Sequence, residues 1–344
     1  MELKQGEYIT IEKNKLISIE WFTGGKLDCS LETKNGRHTY SHINGRVWQK
    51  YNIKNNLPDG EWVLYHSNGQ MSDYREYKKG KKCGTWKSYH DDGSVWSQTN
   101  YKNDLKHGIT KKWRYGEVLE YEGQYKNGKK SGHWIYYFDN GNIEHEGDYD
   151  NDKKVGSWKT YYTDIKKVYE AIEYKNNLMN GIYNKFSVEG VNISSGKLKN
   201  GKKIGEWKFH HDNGNVSRIV SYKNGLKSGM ELTYHPNSKK RYKVNYLNGK
   251  RDGEYESYYN TGLSKISCNY SKGLIDGKYT EYFNNGNQRC EGVVNLDNMV
   301  GDWTFWYHNG EKECELKMNT DGSLEEGNIF HDNGKLKQSR KFHD

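Results

Sequence analysis

Apolar and polar residues alternate in short runs along this chain, and the runs recur. In Gly132-His-Trp-Ile-Tyr-Tyr-Phe-Asp-Asn-Gly141, continued by Asn142-Ile-Glu-His-Glu-Gly-Asp-Tyr149, two alternating segments flank Asn140-Gly141. Alternation with period two marks a strand, and Asn-Gly is the dipeptide that best tolerates positive φ at both centres of a type I′ hairpin turn. The same turn recurs at Asn68-Gly69, Asn213-Gly214, Asn285-Gly286, Asn309-Gly310 and Asn333-Gly334, with Asp92-Gly93 as a close substitute. A second turn joins successive hairpins, most plainly in Tyr125-Lys-Asn-Gly-Lys-Lys-Ser-Gly132.

The unit has a fixed length. A glycine opens it at Gly36, Gly60, Gly84, Gly108, Gly132 and Gly156, then at Gly181, Gly205, Gly229, Gly253, Gly277 and Gly301, every gap being 24 residues except the one of 25 between Gly156 and Gly181. Such a period describes an array in which each unit meets its neighbours in the same way. The predicted fold is all-β: an elongated, single-layer, twisted antiparallel meander of tandem 24-residue β-hairpin repeats, its hairpins spanning on the order of 110 Å at the usual strand spacing. Residues 1–35 read as N-terminal capping strands (Glu7–Glu12 and Leu16–Phe22), residues 36–324 as the tandem repeats and residues 325–344 as a C-terminal partial repeat or cap. The extra residue lies between Tyr161 and Tyr174, and the next repeat lacks a clear Asn-Gly turn, so a bend or bulge is expected there.

Period-two counting puts Trp62, Trp86, Trp134, Trp158, Trp207 and Trp303 on one face with Tyr77, Tyr101, Tyr125, Tyr149, Tyr222, Tyr246 and Tyr270. Tyr65, Tyr89, Tyr137, Tyr161, Tyr234, Tyr258 and Tyr282 project to the other. Symmetric counting from Asn140-Gly141 sets Trp134 opposite Gly147, where an indole could cover the bare strand.

Composition changes this picture little. Hydrophobic residues make up only 33% of the chain, but 30 Tyr and 11 Trp fall mostly at repeat positions, so aromatic rings supply the order. No run approaches the ~20 apolar residues of a membrane helix, and the first residues lack a signal-like apolar stretch. Five cysteines (Cys29, Cys83, Cys268, Cys290, Cys314) without a CxxC pair suggest free thiols in a reducing, cytoplasmic setting.

The motif Tyr-Lys-Asn-Gly-Lys-x-x-Gly-x-Trp-x-x-Tyr-x-x-Asn-Gly, seen from Tyr125 to Gly141, resembles the MORN repeat in its variant form. That resemblance implies an extended twisted sheet of hairpins. Proteins with this variant repeat include YwqK-type bacterial antitoxins, which bind and neutralise a cognate toxin, and some MORN proteins are assigned a membrane role.

Net charge is +9, and lysines gather at the connecting turns, notably Lys81, Lys82, Lys129, Lys130, Lys202 and Lys203. Stacked hairpins would line these along one edge as a basic rim able to steer an acidic partner. Three tryptophans that break the repeat pattern, Trp48, Trp96 and Trp113, are the aromatic candidates for partner contact. His66, His90, His211 and His235 recur at a spacing too wide for one metal to bridge. There is no phosphate-binding Gly-rich loop before a helix, no Gly-x-Ser-x-Gly and no His-Glu-x-x-His. The expected function is therefore a non-enzymatic scaffold, without cofactor or metal, that binds a protein partner. The alternative is binding of anionic phospholipid through the basic rim; nucleic acid is not favoured. Partner, oligomeric state and binding face stay open at this level.

Overall fold

The computed structural model describes residues 6–12, 15–23, 26–30 and 33–341, with side chains from residue 33 onward. The side chains of residues 1–32, Cys29 and both expected capping strands among them, lie outside the described residues. Strands and turns account for every described element. The chain divides into two compact units: Met1–Val168 with Tyr174–Asn177, and Tyr169–Glu173 with Leu178–Asp344.

In the first unit, strands Gly6–Glu12, Lys15–Thr23 and Lys26–Ser30 pair antiparallel as a small sheet of their own. A second sheet begins at Gly36–Ser41, and each strand pairs antiparallel with the next. The second unit is the same meander, running from Leu178–Phe186 to Leu336–Lys341. The hairpin repeats are thus present as read, and Trp134 does stand opposite Gly147.

The turns are not as read. At Asn140-Gly141 only Gly141 has positive φ (81°); the chain closes through Gly141 N to Phe138 O (3.0 Å) and Phe138 N to Asn142 O (2.8 Å), a longer loop than type I′. Type I′ geometry belongs to the connecting turn instead, where Asn127 and Gly128 have φ of 51° and 83° and Lys126 pairs with Lys129. The same dipeptide serves two turns because positive φ is tolerated by Asn and Gly but demanded of both only in the shorter loop. The extra residue lies in the hairpin loop, where Tyr162 N reaches Lys167 O rather than a residue four positions on. The next loop closes like the others, with Gly190 in place of the missing Asn-Gly glycine.

The periodic glycine has a local cause. All twelve repeat-opening glycines have positive φ, from 63° to 134°. At Gly132 the register with the preceding strand slips: Gln124 pairs with Ser131 and Glu122 with Ile135, so Gly123 alone faces Gly132, His133 and Trp134. A bulge of this kind increases local twist. It lays the Trp134 ring over Gly123, where an added Cβ would sit 2.3 Å from Trp134 Cδ2. The indole that covers Gly147 is that of Trp158, not Trp134, and Gly196 and Gly292 lie under Trp207 and Trp303 in the same way. Each of these indole N–H groups donates to the carbonyl ten residues earlier, as Trp134 Nε1 does to Gln124 O at 3.2 Å.

The consequence is a real core on one face. Trp62 and Trp134 are 1% exposed, Trp207 2% and Trp303 3%. Rings continue the stack, with Tyr51, Trp62, Tyr77, Trp86 and Tyr101 in sequence at centroid distances of 4.4 to 5.6 Å. Five of the six repeated tryptophans, all but the half-buried Trp86, are therefore interior groups, and the aromatic face is no accessible docking surface at those five positions. The opposite face is polar: Lys111 pairs with Glu122 at 2.7 Å, and Tyr137 donates to the same carboxylate at 2.8 Å.

Candidate interaction surface

The connecting turns hold two kinds of lysine. The residue two positions before the repeat glycine folds inward over the rings. Lys130 Nζ lies 4.2 Å from the Trp134 ring centre and 5.0 Å from that of Tyr149, Lys203 lies 4.2 Å from Trp207, and Lys82 lies 4.6 Å from Trp86. Lys154 on Trp158 (3.9 Å) and Lys106 on Tyr125 (5.0 Å) repeat the arrangement. A cation on an aromatic face is held there by the ring quadrupole while its stem covers apolar surface. Burial lowers the pKa of Lys154 and of Lys203, the expected sign for an ammonium leaving water.

The residue three positions before the glycine points outward. Lys81, Lys129 and Lys202 are exposed. Of the six lysines read as one basic rim, three are thus lids on the core and three face solvent. Consecutive turns are tied together, since Gly128 N donates to Lys106 O (2.8 Å), and the Asp104 and Asp152 carboxylates accept from Lys82 N (2.8 Å) and Lys130 N (2.7 Å). These turn carboxylates satisfy backbone donors and leave the outer lysines as the exposed charge of the edge.

The hairpin ends form a second edge. His66, His211 and His235 each donate from Nε2 to the carbonyl 23 residues on, at 3.0 to 3.1 Å, and Asn68 and Asn140 do likewise from their amides. These histidines link neighbouring hairpins. His90 differs: its buried Nε2 lacks a hydrogen-bond partner, and its ring stacks on Tyr115 at 3.8 Å.

The three pattern-breaking tryptophans are separated. Trp48 and Trp96 occupy the same repeat position, the one the strand register skips where the ladder slips after the hairpin turn. Trp48 is half-buried against the cluster of Tyr51, Ile53, Trp62, Leu64 and Tyr77. Trp96 is 46% exposed, with the His90 ring 6.3 Å away. Trp113 is half-buried at a strand end, paired with Leu119.

Two features escaped the sequence reading. Glu231 occupies a tryptophan position and is fully buried, with Lys227 Nζ at 2.6 Å, the Tyr242 hydroxyl donating at 3.4 Å and Arg218 at 3.9 Å. Burial disfavours the Lys227 ammonium, but the Glu231 carboxylate outweighs it and the pKa is raised. The second is a set of half-exposed leucines at the connecting turns, Leu105 in the first unit and Leu178, Leu226, Leu247, Leu274 and Leu296 in the second, each 41% to 57% exposed. Aligning the repeats on their glycines would have revealed both.

Among curated proteins none matches the chain. Solved structures similar to it include one described as TcdB2-TccC3-Cdc42, at 10% identity over 95% of this chain and 18% of that one, with a TM-score of 0.19. Another is a Tc holotoxin pore from Photorhabdus luminescens, at 10% identity over 88% and 18%, with a TM-score of 0.18. The chain spans about a fifth of the length of these proteins, and likeness at this level bears on neither fold nor function. No helix among the described residues is long and apolar enough to cross a membrane. The family model of the MORN repeat variant matches residues 58–79, 82–103, 130–151 and 203–224, which are hairpins of the kind described above. These four matches support a MORN repeat protein, a scaffold of repeated hairpins.

Proposed function

We propose that the chain is a non-enzymatic scaffold that binds a protein partner through the turn edge of its hairpins. The division of the lysines carries this reading. Lys82, Lys130 and Lys203 are committed to the core, whereas Lys81, Lys129 and Lys202 stand exposed on turns held rigid by bonds to their neighbours. Charge held in place on the turns of each unit loses little freedom when a partner docks and speeds encounter with an acidic surface. The specific role that the MORN-variant resemblance suggests is neutralisation of a cognate toxin by direct binding. Co-expression with the product of a neighbouring gene tests it: rescue of growth from a toxic neighbour supports the role, and a neighbour harmless alone removes it.

The exposed leucines favour one second reading, adsorption to an anionic bilayer. Sedimentation with phosphatidylserine vesicles over a salt series separates the two. Lipid binding by exposed lysines weakens steeply with ionic strength, and absence of pelleting at low salt eliminates it.

A further inference from the structure

In the second unit, the residue three positions before the repeat glycine alternates without exception over five repeats: Leu178, Lys202, Leu226, Lys250, Leu274. The three leucines are 51%, 54% and 41% exposed, and both lysines are exposed. Gly225 N donates to Lys203 O, Gly249 N to Lys227 O and Gly273 N to Arg251 O, at 2.8 to 2.9 Å, so the turns keep a fixed spacing. Two strand separations set that spacing at roughly 9.6 Å. Of the acids nearby, Asp252 and Asp297 accept from the backbone N–H groups of Lys272 and Ile275. Exposed Lys199, Lys223 and Lys272 add to the positive side.

We infer that this edge docks an extended segment of a partner protein that carries apolar and carboxylate side chains alternately at every third residue. The inference rests on the partner-binding reading and names the partner's chemistry. A polyproline II strand advances about 9.3 Å per three residues and presents the same side each time, so its register matches the turns along the whole row. About thirteen residues cover five rows, each acidic group meeting Lys202 or Lys250 and each apolar group a leucine. The leucines suit a peptide better than a bilayer because they lie along the edge. Leu226 Cδ2 sits 3.7 Å from where a Cβ of Gly249 would stand, against the next turn. Nucleic acid would leave all three leucines unmet.

The test is fluorescence anisotropy on the full chain with a labelled peptide of about thirteen residues, Leu and Glu alternating at every third position with Pro between. Binding is expected, and a peptide of the same composition with its Leu and Glu segregated to opposite ends should bind about tenfold more weakly. Leu226→Ser with Leu274→Ser, and separately Lys202→Glu with Lys250→Glu, should each weaken the periodic peptide about tenfold or more. All four side chains are exposed, so both variants should keep the parent urea midpoint. Equal affinity for the two peptides, indifference to both pairs of substitutions, or no binding overturns the inference. So does displacement of the peptide by phosphatidylserine vesicles that sediment the chain through the same four residues, which would place a membrane there. If the peptide fails while a protein is still captured specifically by the parent chain, the broader reading stands alone; if capture fails as well, both fall.

Discussion

Gly123 and Trp134 show what a residue does here. Gly123 is bare because an indole rests on it, and Gly147, Gly196 and Gly292 repeat the bargain with the tryptophan eleven positions later. Where the later residue is smaller, the earlier one is larger: Val244 faces Tyr255, Cys268 faces Tyr279 and Val220 faces Glu231. Gly123→Ala should therefore destabilise the chain by about 3 kcal/mol, since the new methyl overlaps a ring with no room to move. Gly123→Val with Trp134→Tyr should cost less than the sum of its two single changes, because that pairing already exists at Val244 and Tyr255. Urea denaturation of the four proteins measures this, and strict additivity would refute the packing account. The lysines give a second contrast. Lys130→Ala should lose about 1 kcal/mol with its place over Trp134, whereas Lys129→Ala, one residue away, should stay within about 0.5 kcal/mol of the parent. Equal urea midpoints for the two would show that the inner lysine is not a lid.

At the scale of strands and turns, burial sets the response to pH. It pushes the Cys268 and Cys290 thiols from 9.0 up to about 11, and burial with the Tyr136 hydroxyl pushes Tyr149 from 10.0 up to about 12. The folded chain holds these protons more tightly than the unfolded one. Their contribution is thus complete below the unfolded values and is lost as pH rises through the folded ones. Urea midpoints should hold near neutrality, begin to fall near pH 9 and fall faster from about pH 10 to 12, with Cys268→Ala and Cys290→Ala together flattening the first part. A midpoint unchanged to about pH 12 would contradict the burial of these strands.

The hairpins, their period and the sharing of a face by tryptophan and tyrosine were legible because period-two alternation and turn residues are local signals. The turn type was not, since Asn127-Gly128 and Asn140-Gly141 are the same dipeptide and differ only in the loop length that pairing imposes. Nor was the cover over Gly123, because counting outward from a hairpin finds Gly147 and cannot see the slip at Gly132 on the other side. Lys129 and Lys130 looked alike for a related reason: adjacent residues at a bulge face different surroundings. The exposed lysines of the turn edge were therefore named together with residues that belong to the core.

For the molecule as a whole, an array transmits stability only between neighbours. Trp303→Ala in the second unit should raise amide exchange in the strands from Gln288 to Met318 while leaving Lys81–Tyr137 in the first unit at parent rates. Hydrogen–deuterium exchange by mass spectrometry reads both regions at once, and uniform loss of protection would mean cooperative unfolding of the entire chain.

The account turns on the outer lysines serving a partner and the inner ones serving the fold. The most direct measurement is quantitative mass spectrometry of what the parent chain and the Lys81→Glu, Lys129→Glu, Lys202→Glu chain retain from native lysate at physiological salt. The expected result is a saturable protein partner held by the parent and lost by the variant at an unchanged urea midpoint. A partner held equally by both, or a variant that no longer folds, would contradict it.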